Sequence, residues 1–83
     1  MKIVKPENAQ EVDVKYVGKC MIVCESYYYN GYSPIDFVED EHCTPWVFEN
    51  YDAAKEWIEN ATKGVYYLEH GEAGAPDYTI VAA

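Results

Sequence analysis

Residues 45–64, PWVFENYDAAKEWIENATKG, carry a short β-prone run directly into an amphipathic helix. Asn50 stands where an N-cap is wanted, and Asp52 sets negative charge in the first turn against the helix dipole. Ala54, Trp57, Ile58 and Ala61 follow at i, i+3, i+4 and i+7, a single apolar stripe. Asp52, Lys55, Glu56, Glu59 and Lys63 take the other face, and Lys63-Gly64 supplies a closing cation and a C′ glycine. The spacing predicts one helix over 51–62. A helix with one apolar face must lie on something, and the sequence on either side of it is sheet-like.

Upstream, residues 20–29, CMIVCESYYY, form the strongest strand signal, rich in β-branched and aromatic residues and closed by the turn dipeptide Asn30-Gly31. Val12, Val14 and Tyr16 alternate with Asp13 and Lys15, the period-2 pattern of a half-buried strand, with a tight turn at Gly18-Lys19. Ile3-Val4 begins an edge strand that Pro6 ends. Residues 32–44 contain Pro34 and an acidic run, and read as a long loop or a short irregular strand, after which Trp46-Val47-Phe48 adds another short strand. Downstream, 65–69 and 78–82 read as two strands joined as a hairpin through 70–77, HGEAGAPD. The expected fold class is α+β: an antiparallel sheet of about four strands with one helix across a face, in the order β-β-(β)-α-β-β, and residues 1–83 as a single domain.

Composition agrees with a small sheet protein. The 83 residues are 49% apolar, enough for a core, and the palette is nine Tyr, nine Val and five Ile against one leucine, Leu68. No run approaches the roughly 20 apolar residues that span a bilayer, so no membrane partner is expected. The start, MKIVKPENAQ, has no apolar stretch of signal-peptide type, and an odd cysteine count fits a reduced, cytoplasmic compartment. So small a core predicts marginal stability, with homodimerisation as one source of support.

Charge is the outstanding feature. Fifteen carboxylates face six lysines and no arginine, a formal charge of −9. Residues 1–24 balance Lys2, Lys5, Lys15 and Lys19 against Glu7, Glu11 and Asp13, whereas residues 25–83 set twelve acids against Lys55 and Lys63. The surplus therefore belongs to the last sixty residues. Direct nucleic-acid binding, which needs clustered cations, is not expected. A solvated, solubilising coat is the plain reading of such a surplus, and a surface that meets a basic partner is the sharper one.

Catalytic and metal signatures are weak. On one strand Cys20 and Cys24 stand roughly 13 Å apart at about 3.3 Å per residue, too far to share a zinc ion or a disulfide. They read as small core residues on one sheet face. His42 and Cys43 are neighbours in sequence, but adjacent side chains on an extended chain point apart, and Glu39, Asp40 and Glu41 disfavour a thiolate nearby. The acidic run lacks the glycine and closing glutamate of a calcium-binding EF-hand loop. No phosphate loop, nucleophile elbow or HExxH motif occurs. No enzyme activity, metal or other cofactor is expected.

What remains is an acidic run bracketed by aromatics, Tyr27, Tyr28, Tyr29 and Tyr32 before it and Trp46, Phe48 and Tyr51 after it. Tyrosine offers large contact area at low entropic cost. The candidate partner-binding residues are Glu39, Asp40 and Glu41 in the loop, Glu25, Asp36 and Glu49 flanking it, and Tyr28, Tyr29 and Tyr32 as apolar contacts.

In size, charge, lack of arginine and α+β outline, with 45–64 running from strand into short helix, the chain resembles the small acidic anti-CRISPR proteins of phages. That resemblance implies a non-enzymatic inhibitor that occupies the basic nucleic-acid site of a CRISPR effector, carboxylates standing in for phosphates. Acidic immunity or antitoxin proteins that block a nuclease are similar to it as well. A self-associating structural or regulatory protein, pairing through its sheet edge and tyrosines, is the alternative from a different class.

Overall fold

In the computed structural model, residues 5–26, 31–62 and 76–83 are described. They form an α+β unit: a 3-10 turn at Pro6–Asn8, strands β1 (Cys20–Glu25) and β2 (Ile35–Phe37), helix α1 (Tyr51–Thr62) and strand β3 (Asp77–Ala82). The sheet is antiparallel in the order β2-β1-β3, so β1 is central. Among the described residues no helix is long and apolar enough to cross a membrane.

The helix occupies the span expected for it. The Asn50 side-chain oxygen accepts the Ala53 N–H at 2.8 Å, satisfying one of the donors that every helix start leaves unpaired. Its apolar stripe lies on one face of the sheet. Ala54 is fully buried against Cys20, Ile22, Ile80 and Phe48, while Trp57, Ile58 and Tyr78 pack around that cluster. Trp57 is the aromatic hinge of this layer, meeting Phe48 at 6.5 Å and Tyr78 at 5.5 Å edge-on, with Trp46 stacked on Phe48 at 5.0 Å.

Cross-strand register fixes which side chains share a face. Ile22 stands opposite Ile80 and Cys20 opposite Ala82, both beneath the helix. Val23 stands opposite Thr79 and Phe37, and Glu25 opposite Asp77 and Ile35, on the other face. The remaining short lanes are bridges rather than strands. Val12 donates its N–H to Ile80 and Ala82 donates to Gln10, which sets Glu11 beside Val81. Phe48 exchanges two hydrogen bonds with Cys20, at 2.7 and 3.0 Å, extending the sheet where β2 has ended.

Several sequence expectations are corrected. The alternating run at 12–16 is not a strand beyond Val12. Asp13 accepts the Lys15 N–H on its side chain and the Tyr16 N–H on its carbonyl, a turn that leaves Val14 66% exposed. Strand β1 ends at Glu25, short of the expected Tyr29, and residues 27–30 lie outside the described residues. Trp46-Val47-Phe48 contributes a bridge, not a strand. The described sheet thus has three strands in the order β-β-α-β, while the expected strands at 3–4 and 65–69, the cation and glycine at 63–64 and the connection through 70–75 lie outside the described residues. The tight turn expected at Gly18-Lys19 is only a bend, with Gly18 at φ +141° and the Tyr16 hydroxyl 3.0 Å from where a Cβ would stand. A larger residue there is strained by the backbone conformation, and the Tyr16 ring must also shift by a few tenths of an ångström to admit it.

The segment 38–46 folds into a tight hairpin that the sequence did not announce. Trp46 donates to the Val38 carbonyl, Asp40 to Thr44, and Cys43 to Asp40. Cys43 takes the left-handed position at φ +59°, the place a three-residue hairpin loop ordinarily gives to glycine.

Two stability outcomes follow from these local geometries. Asn50→Ala is expected to cost about 1 kcal/mol in denaturant unfolding, with Asn50→Asp close to the parent. An unchanged Asn50→Ala midpoint would contradict the capping role. Cys43→Gly removes a left-handed penalty of about 1–2 kcal/mol and adds a glycine entropy cost of roughly 0.5–1, for a net gain of about 0.5 kcal/mol. A lower melting temperature for Cys43→Gly would refute it.

Candidate partner-binding surface

The acidic run at 39–41 sits on the 38–46 hairpin, and its members do different work. The Asp40 side-chain oxygen accepts the N–H groups of His42 at 2.8 Å and Thr44 at 3.2 Å, so this carboxylate holds the turn. Glu39 and Glu41 are exposed and Asp40 is half-buried; the Glu41 side chain, 87% accessible, lies 3.6 Å from the similarly open His42 ring. Glu49 is exposed just before the helix cap. Tyr32 is 63% exposed, while Tyr28 and Tyr29 lie outside the described residues.

The flanking acids do not share one face. Asp36 stands opposite Cys24 and hence on the helix side, with its carboxylate accepting the Phe37 N–H at 2.8 Å. Glu25, one register step away, points to the reverse side and accepts the Ser33 hydroxyl at 2.8 Å. Sequence proximity grouped these two carboxylates; the pleat separates them.

Register instead brings Glu25 together with acids that sequence reading passed over. On the face away from the helix, Glu7, Glu11, Glu25 and Asp77 line an open groove of about 240 Å³ floored by Val23 and Val81. Val81 is 2% exposed and Val23 8%, so the floor is closed. Pro6, Ala9, Ile35 and Thr79 complete the walls, and among the described residues no lysine lines it. The only sequence signal was the alternation within 20–25 and 77–82; nothing local states that these two segments pair with Glu25 opposite Asp77.

Cys20 and Cys24 lie on the helix side as expected, buried and half-buried, and all three cysteines are free thiols. Burial pushes the Cys20 thiol up. Burial also raises Cys24, with the Asp36 and Asp77 carboxylates adding to the rise and the Ser26 hydroxyl opposing it. Among the described residues no three His, Cys, Asp or Glu side chains converge as a metal cage would require.

A raised thiol has less thiolate at neutral pH, so Cys20 and Cys24 should react slowly and accelerate as pH rises, whereas Cys43 is exposed. With Ellman's reagent on folded protein, one thiol is expected to react at least about tenfold faster than the other two, and Cys43→Ser should remove that fast phase. Three equal rates would contradict the arrangement.

Set against known proteins, the chain matches no family model, no curated protein and no solved structure.

Proposed function

We propose that this chain is a non-enzymatic inhibitor that docks its acidic surface onto the basic nucleic-acid-binding surface of a larger protein, of the CRISPR-effector type, with carboxylates in place of phosphates. One observation carries the reading: a net charge of −9 with no arginine, with most of the acids among the described residues exposed. Glu39 and Glu41 stand on the hairpin, Glu49 precedes the helix, and Asp52, Glu56 and Glu59 follow along its outer face. Among the described residues, Asp52, Glu56 and Glu59 share that exposed face with a single cation, Lys55, so its charge is negative on balance. A field of this sign speeds encounter with a basic surface, and the complex weakens as salt screens it.

The test is capture on the immobilised chain from a lysate carrying nucleoprotein complexes, at low and high salt, with duplex DNA as competitor. A basic nucleic-acid-binding protein should be retained at low salt and released by either DNA or salt. Glu39→Lys with Glu41→Lys should weaken retention about tenfold, or ~1.4 kcal/mol, while the fold survives because Asp40 still closes the turn. Retention unaffected by salt, DNA and charge reversal would overturn the reading, and a salt-insensitive oligomer in light scattering would favour self-association instead.

A further inference from the structure

We propose that Asp36 guards the outer edge of β2 against pairing with a second copy of this chain. The inference stands apart from the docking function above and gives one acid of the candidate surface a task other than meeting a basic partner. Along β2 and its flanks, even-numbered residues turn their backbone groups toward β1. Val38 donates to the Ile22 carbonyl at 2.8 Å, and the Pro34 carbonyl accepts the Ser26 N–H at 3.0 Å. Asp36 stands opposite Cys24 in the same ladder. Ile35 and Phe37 therefore present their backbone groups to the outer side, where among the described residues no strand or bridge pairs with them. A row of groups presented in this way is a template for another chain.

The edge is self-complementary, and that identifies the second copy as the chain it would admit. An antiparallel pair about a two-fold axis at Asp36 sets Ile35 of each copy against Phe37 of the other. These are the outward-bonding residues, so the two rungs can exchange four N–H···O bonds. Their side chains lie on the face away from the helix, opposite Glu25 and Val23. An exposed Ile35 would there meet a half-buried Phe37, an apolar match on both sides of the axis. The match is short, because Glu39 is already bridged to Pro45 of its own chain.

Asp36 opposes that pairing twice over. Its side-chain oxygen accepts the Phe37 N–H at 2.8 Å, whereas a strand side chain ordinarily stands clear of its own backbone. This bond withdraws one donor from each copy, so two of the four intermolecular bonds form only if both caps are given up. The axis also sets Asp36 against its own copy at a rung without hydrogen bonds, where Cα atoms approach to about 4.5 Å. Two carboxylates directly opposite each other repel. The net charge of −9 on each copy acts in the same direction. A strand of three residues has few contacts with which to offset these costs. One carboxylate thus closes the edge through a hydrogen bond and a charge.

The experiment is sedimentation velocity on the full chain at micromolar to millimolar concentration. Asp36→Val removes both the acceptor and the charge, and should strengthen self-association at least about tenfold over the parent. Asp36→Asn keeps an oxygen for the Phe37 N–H and loses only the charge, so it should associate more than the parent and less than Asp36→Val. Adding Ile35→Pro to Asp36→Val removes an outward donor, spares the bonds to β1 and should restore the parent's behaviour. Position 36 is exposed, so circular dichroism should show an intact fold, and Asp36→Thr is the second β-branched variant for the same comparison. Asp36→Val and Asp36→Thr associating no more than the parent overturn the proposal, as does association that Ile35→Pro leaves in place. Asp36→Asn associating as strongly as Asp36→Val leaves the hydrogen bond no part and overturns it too. A parent dimer dissolved by Ile35→Pro has the same force, because the edge would then be open with Asp36 present.

Discussion

The six residues of β1 are hydrogen-bonded along both edges, to β3 over their whole length and to Phe48 and β2 in succession on the other side. That double pairing leaves its side chains no freedom to choose a face. Cys20 and Ile22 are driven under the helix and disappear from solvent, while Val23 and Glu25 are driven to the reverse side. A slip of one residue in this register would bury Glu25 beneath Trp57 and expose Ile22. The placement of the helix, the closure of the core and the existence of the groove all depend on that one alternation.

The molecule is accordingly two-sided. One side is aromatic, with Phe48, Trp57 and Tyr78 at edge-on angles around a small buried cluster. The other is shallow, acidic and covered in part by the N-terminal segment through Pro6–Asn8. Negative charge is thus distributed over the hairpin, the outer helix face and the groove, not gathered at one run of the chain.

Helix α1 was legible to the residue because its cap, stripe and charge placement are all local, and local signals agree there. The buried half of β1 was legible for the same reason, in its β-branched run. The short lane at 10–12 was not, because the alternation of Val12, Val14 and Tyr16 is broken by a turn that Asp13 makes with its own neighbours. The 38–46 hairpin was hidden by a cysteine in the left-handed position where a glycine would have signalled it. For the candidate surface, the exposure of Glu41 and Glu49 follows from polarity alone, but the grouping of Glu25 with Glu7, Glu11 and Asp77 is a matter of long-range pairing. Proximity along the chain put Glu25 with Asp36, and the pleat reversed that assignment.

The hairpin tip has one further implication. Its shape is maintained by backbone hydrogen bonds and by the Asp40 carboxylate, while Glu41 and His42 touch nothing in the core. Those two positions are thereby released from the demands of packing and open to drift. A lineage carrying this fold would be able to change its outermost chemistry by altering the tip, leaving the scaffold beneath untouched.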